Sequence, residues 1–389
     1  MRQLNLHHAL CSLRRCRAAP QIAAALAGLL TGCSGPAAGI DWSPPAAAHY
    51  LDGRARAWLG WRQASRDHGT VCLSCHTTLP YTLARGQLRE LLAESSLPEP
   101  ERKLLEIVKQ RVGLWSQVLP WYGDQKLASR GTEAVINALV LAADDATRGG
   151  LSPLTRTALE HMWALQLGEG PDAGSWPWIQ FNNEPWEAPD SAYYGATLAA
   201  LATGLAPESY HQDPAIQARL ALLREYLRRE YPHQSLLNRI ELLWAAQSLP
   251  ELIEPAARAT LAKEISARQR MDGGWSTASL LSGWKMHDGL PLPEVSDGLA
   301  TGLVTFVLQT AGIPATDPRI RAGLAWLEGH QSSWNGRWLA DSPNRRNGLL
   351  PREGDHFMDD AATAFAVLAL TRAQAGTAAA RRNAVPTAP

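Results

Sequence analysis

Two kinds of apolar pattern alternate along this chain. In stretches such as Pro255-Ala-Ala-Arg-Ala-Thr-Leu-Ala-Lys-Glu-Ile-Ser-Ala-Arg268, charges keep to one face of a helical period and leave an apolar stripe on the other. In stretches such as Asp297-Gly-Leu-Ala-Thr-Gly-Leu-Val-Thr-Phe-Val-Leu308, apolar residues run nearly all round, with Ala and Gly among them. A helix of the first kind faces both core and water. One of the second kind belongs inside, where its small residues permit close packing. Openings of the second kind recur at Glu133, Asp190, Asn238, Asp297 and Asp360, in steps of 57, 48, 59 and 63 residues. That length suits two helices and a loop, so each unit reads as a helical hairpin. Outer amphipathic helices around inner apolar ones predict an all-α fold, a single α/α toroid of about six hairpins.

A second signal keeps the same beat. Gln166…Trp176, Gln269-Arg-Met-Asp-Gly-Gly-Trp275 and Gln331…Gly336-Arg-Trp338 each close a helical stretch with a glutamine, a glycine-bearing turn and a tryptophan. An acid opening an apolar helix follows each: Asp190, Asp297 and Asp360. If every unit runs outer helix then inner helix, the inner helices are parallel and their N-termini meet at one mouth. Glu133, Asp190, Asp297, Asp359 and Asp360 would then gather around a central cavity. Against this stands the plain role of Asp at a helix start, which is to cap it.

Gln269, Gly273 and Trp275 match in full the spacing Gln-x-x-x-Gly-x-Trp, and the other two copies are longer. On these motifs the chain, over roughly residues 50–372, resembles the squalene–hopene cyclase and protein prenyltransferase superfamily. In the repeat, the glutamine is expected to bond free carbonyls at a helix end while the indole stacks across the turn. The resemblance implies a cavity for a polyprenyl or hopanoid-like lipid and an acid that protonates an alkene. Phe357-Met-Asp359-Asp360-Ala-Ala-Thr363-Ala is similar to the cyclases' Asp-x-Asp-Asp-Thr-Ala motif, with Asp359 in the proton donor's position and Asp360 beside it. Phe357 replaces the first Asp and Thr363 comes two positions late, which departs from classical cyclisation; His356 is adjacent as a proton partner or a cap. The zinc site of the prenyltransferase branch needs a cysteine, and the chain has none beyond Cys75, so protein prenylation is excluded and no metal is expected in the ring.

A second chemistry-bearing stretch runs Trp176-Pro-Trp178-Ile-Gln-Phe-Asn-Asn-Glu184-Pro-Trp186-Glu187-Ala-Pro-Asp190-Ser-Ala-Tyr193-Tyr194. Glu187 and Asp190 could form an acid/base pair. Trp186, Tyr193 and Tyr194 could face a cation or stack on a sugar. Trp176 and Trp178 read as repeat packing.

The N-terminus reads as an export leader. Arg14, Arg15 and Arg17 precede the run Ile22-Ala-Ala-Ala-Leu-Ala-Gly-Leu-Leu30, too short to span a bilayer as a mature helix. Leu30-Thr-Gly-Cys33 looks like a lipobox, which makes Cys33 the lipidated first residue of an exported lipoprotein; Ser34 after it points to the outer membrane. The domain plan is therefore a leader over 1–33, a flexible linker over 34–48, a toroid over 49–372 and a disordered tail over 373–389. Net charge is zero over 389 residues, with no basic surplus to attract nucleic acid.

Beyond the leader and Cys33 the only cysteines form Cys72-Leu-Ser-Cys75-His76. Three readings stay open. One is covalent haem c, with thioethers from Cys72 and Cys75 and His76 as axial ligand. The others are a Cys72–Cys75 disulfide and a metal site that adds His68. No methionine occurs between Met1 and Met162, so a nearby sulfur ligand is missing, and the motif falls in the loop between two helices of a first toroid unit, Arg54–Arg62 and Leu79–Leu92.

Three functions compete on this basis. The first is an exported cyclase-like protein that binds or transforms a polyprenyl lipid. The second is a periplasmic polysaccharide lyase or glycosidase-like toroid. The third is a non-catalytic haem-bearing binding or electron-transfer protein.

Overall fold

Most of the outer helices start with the same local chemistry, a polar cap followed by proline. Ser43-Pro44, Ser152-Pro153, Asp213-Pro214 and Asp317-Pro318 each pair a capping side chain that accepts from a backbone N–H with a proline whose fixed φ suits the first turn. The computed structural model describes residues 42–281, 284–344 and 353–384. Within them the helices are, in chain order, α1 Pro44–Gly60, α2 Thr78–Leu91, α3 Glu99–Gly113, α4 Lys126–Ala146, α5 Pro153–Ala164, α6 Ala192–Gly204 and the short α7 Glu208–His211. They continue with α8 Pro214–Glu230, α9 Leu236–Ala245, α10 Pro255–Ala267, the short α11 Thr277–Leu280, α12 Gly298–Thr310, α13 Pro318–His330 and α14 Phe357–Ala384. No strand occurs among the described residues, only isolated bridges.

The expected architecture is present. Helices α2, α4, α6, α9, α12 and α14 are the inner ring; each packs on the next, and α14 returns to α2 to close it. Helices α1, α3, α5, α8, α10 and α13 lie outside, giving six hairpins. The inner α6 and α12 are buried on almost every residue, as their all-round apolar pattern requires.

The glutamine–tryptophan phrase is the joint between units. Gln166 Nε2 donates to the carbonyls of Gly174 and of Arg219 on the next outer helix, and Gln269 does the same to Gly273 and Arg319. The indole N–H groups of Trp176, Trp275 and Trp338 donate to Met162, Ile265 and Leu327, carbonyls at or near the C-terminal end of the preceding outer helix. Two of those carbonyls also take the cap N–H of their own helix, Leu165 on Met162 and Arg268 on Ile265, so the indole adds a second bond there and its own buried N–H is satisfied. The turn glycine is obligatory: Gly336 sits at φ +78°, and a Cβ there would lie 2.3 Å from the Ala46 carbonyl oxygen.

Helices cross two of the expected boundaries. The linker was expected to run to residue 48, yet α1 begins at Pro44, because Ser43 caps it and Gln331 bonds the Ser43 backbone on both sides. The tail was expected to be disordered from 373, yet α14 continues to Ala384 over an Ala-rich sequence that favours helix. The leader, the lipobox and Cys33 lie outside the described residues.

Candidate functional site

The acids at the N-terminal end of the inner ring turn out to be structural ties. Asp297 caps α12, accepting from the Ala300 N–H at 3.0 Å, and also takes the Thr277 N–H and hydroxyl. Asp360 accepts from the Tyr50 hydroxyl (2.8 Å), Arg54 Nε (2.8 Å) and the Thr77 hydroxyl (2.7 Å), so it clasps α14 to α1 and to the start of α2. Asp359 takes the Ala340 N–H at 2.9 Å and faces Arg337 at 3.3 Å. Burial pushes the carboxyls of Asp297 and Asp359 up to about 6, against the pull of these donors.

The expected convergence of acids on one cavity therefore needs correction. Glu133 lies well inside α4 rather than at its start and pairs with Arg111 and Arg130. Asp190 is exposed, two residues before α6, and caps nothing. His356 is half-buried in a 3-10 turn before α14. Tyr193 points outward, its hydroxyl on the Leu227 carbonyl of α8.

This end of the ring is filled with aromatic rings. His76 is buried, lies flat on Phe357 at 3.4 Å between centroids, and has Trp58 and Trp186 on its edges at 5.4 and 5.8 Å. Its Nδ1 meets the Thr77 hydroxyl at 3.0 Å, and burial holds its pKa well below the usual histidine range, so the ring is neutral. Phe357, where the cyclase motif has an acid, is thus the platform on which His76 rests.

The Cys72-Leu-Ser-Cys75-His76 run, as placed, does not fit a haem. The Cys72 sulfur meets the Tyr122 hydroxyl at 3.5 Å and Cys75 is wholly buried. The space reaching Cys75 is about 20 Å³, room for a water or so. His76 is turned to Phe357 rather than to that space. The metal reading loses its fourth member, because His68 lies on the surface against Asp67 and no group of three or more metal-ligating side chains comes together among the described residues. Cys72 and Cys75 stand as separate buried thiols, their pKa values raised by burial.

The open space lies at the opposite end, among the C-terminal halves of the inner helices. Two adjoining pockets of about 270 and 210 Å³ share Leu83, Leu205, Trp244, Thr310 and Arg372. Leu139, Leu201, Phe306 and Leu368 line their walls together with polar groups such as Gln87, Gln247 and Arg372, and their rim carries the Arg89–Glu101 pair and Asp144. Leu83, Leu201, Trp244 and Leu368 also wall the 20 Å³ space deeper in the ring, so the throat narrows onto it.

At that blind end stand Cys75, Trp186, Tyr194 and Glu241. Trp186 and Tyr194 were expected at a cavity; Glu241 was not singled out. It is buried on α9, its Oε2 has no hydrogen-bond partner, and burial alone pushes its carboxyl up to about 8. The signal was available: Asn238-Arg-Ile-Glu241-Leu-Leu-Trp puts an acid on an inner helix, among neighbours that are apolar. Glu187 is buried nearby, held by Asn183 Nδ2 at 3.1 Å, and its carboxyl is raised to about 7, mainly by burial. Both carboxyls act electrostatically on Cys75 and Tyr194.

No family model matches this chain, and no curated protein does either. Among solved structures it is similar to a polysaccharide lyase, at a TM-score of 0.37 and 12% sequence identity, covering 90% of this chain and 93% of that one. A likeness that distant carries no functional argument.

Proposed function

We propose that this protein binds an isoprenoid-sized apolar molecule in the throat at the C-terminal end of its inner ring. The observation that carries this is the distribution of space: the acid-rich end is filled by side chains, while Leu83, Leu201, Trp244, Phe306 and Leu368 wall the opening at the other end. Sites of this kind, mainly apolar with a few convergent polar groups, are where small molecules bind. Proton donation by Asp359 has little behind it, because that carboxylate is tied to Ala340 and Arg337. A carbohydrate role has less, since Glu187, Asp297 and Asp360 are all buried and bonded within the protein.

Export and a lipid anchor at Cys33 rest on the leader and lipobox, and an anchor would hold the throat near a membrane that supplies apolar ligands. No described helix is long and apolar enough to cross a membrane. The test is extraction of purified protein followed by mass spectrometry, with uptake of farnesane and farnesol measured on delipidated protein. Binding that falls on Trp244→Ala supports the assignment; protein that carries no apolar molecule and takes up neither probe overturns it.

A further inference from the structure

The throat does not end on an apolar wall. Among the carboxylates of the inner ring, Asp297, Asp359, Asp360, Glu133 and Glu187 all have donors within the protein. Glu241 is different: it is 4% exposed, its Oε2 has no partner, and its side chain helps line a space shared with Cys75, Trp186, Tyr194 and Leu201. A buried polar atom left without a partner costs on the order of 1–3 kcal/mol, so something is expected to satisfy it. The space is about 20 Å³, which takes one water-sized group and nothing bulkier.

Resting on the throat as the binding site, we infer that its blind end is a subsite for a single uncharged oxygen, the hydroxyl or carbonyl of an otherwise apolar molecule, held by the Glu241 carboxyl. Size excludes a carboxylate, a phosphate or a sugar from this position. An anion is disfavoured again, because it would lie without a counter-charge in a low-dielectric core. The rim is mixed in charge, with Arg89 and Arg372 beside Glu90, Glu101 and Asp144, and it lies at helix C-termini, whose dipoles disfavour anions. A protonated carboxyl is a hydrogen-bond donor and gives an ammonium group no counter-charge. Its burial keeps Glu241 in that form at neutral pH. The ligand therefore enters oxygen first, with its chain filling the throat behind it, and displaces a water.

The experiment is equilibrium binding, at pH 6.5, of four probes that share one chain: farnesane, farnesol, farnesylamine and farnesyl phosphate. Farnesol is expected to bind about three- to tenfold more tightly than farnesane, the worth of one buried hydrogen bond. Glu241→Leu should erase that preference while leaving farnesane affinity in place, and Glu241→Gln, which keeps a donor, should retain most of it. Farnesol and farnesane binding equally, Glu241→Leu preserving the preference, or farnesylamine or farnesyl phosphate binding most tightly would each overturn the subsite. If none of the four binds, it is the throat itself that fails, a different result.

Discussion

Gln331 exchanges two hydrogen bonds with the backbone of Ser43, 288 positions away: its Nε2 donates to the Ser43 carbonyl at 3.0 Å and its Oε1 accepts from the Ser43 N–H at 2.6 Å. Its amide also reaches the Gly336 carbonyl at 2.9 Å. The joint that links consecutive units elsewhere here links the last unit to the first, so the ring is sealed by the same chemistry that builds it. Gln331→Ala removes all three bonds and should lower stability by about 1–3 kcal/mol. Denaturant unfolding checks this, and limited proteolysis should show α1 becoming the first segment cut. An unchanged cutting pattern would count against the seal.

The Asp360 clasp predicts a larger effect. One buried carboxylate holds Tyr50, Arg54 and Thr77, and its removal takes an acceptor from all three at once. Asp360→Ala should cost on the order of 3–5 kcal/mol, with throat binding by any surviving folded protein unaltered. Loss of ligand binding with undiminished stability would instead assign Asp360 to the site.

Glu241 makes stability depend on pH in a particular direction. Its carboxyl titrates near 4.5 when exposed and is raised to about 8 when folded. Below 4.5 it is neutral in both states and has no effect. Between 4.5 and 8 the unfolded chain ionises and the folded one does not, so the native state loses stability as pH rises, by on the order of a few kcal/mol at most. Glu241→Gln should therefore gain melting temperature relative to the parent between pH 5 and pH 8. A difference independent of pH would mean that Glu241 is hydrated or paired in solution.

The packing of the Cys-x-x-Cys-His run predicts inert thiols. In the folded protein Cys72 and Cys75 should resist alkylation, read peptide by peptide by mass spectrometry, and react on unfolding; burial and raised pKa values both slow the thiolate chemistry. Co-expression with a cytochrome maturation system should produce no Soret band. A band that disappears in Cys72→Ser with Cys75→Ser would show that the His76–Phe357 stack opens to admit haem.

How much of this was legible in the chain follows from what each feature depends on. The period of charged and apolar residues is local, so it determined the helices, their sorting into outer and inner rings and the number of hairpins. The glutamine–tryptophan phrase marked the joints, although its amide bonds the turn glycine and the start of the next outer helix rather than free carbonyls at a helix end. The Asp-rich openings looked like a catalytic mouth, yet whether a carboxylate faces a cavity or a donor depends on what lies across the ring. Tyr50, Thr77 and Ala340, remote in sequence, decided that. Tertiary structure alone turned Phe357 from a missing acid into the platform under His76, and moved the open space to the other end. It also left Glu241, one acid in an ordinary-looking helix, as the polar group at the bottom of the throat. Its lack of a partner is a property of the assembled ring, since desolvation comes only from neighbours that folding brings together.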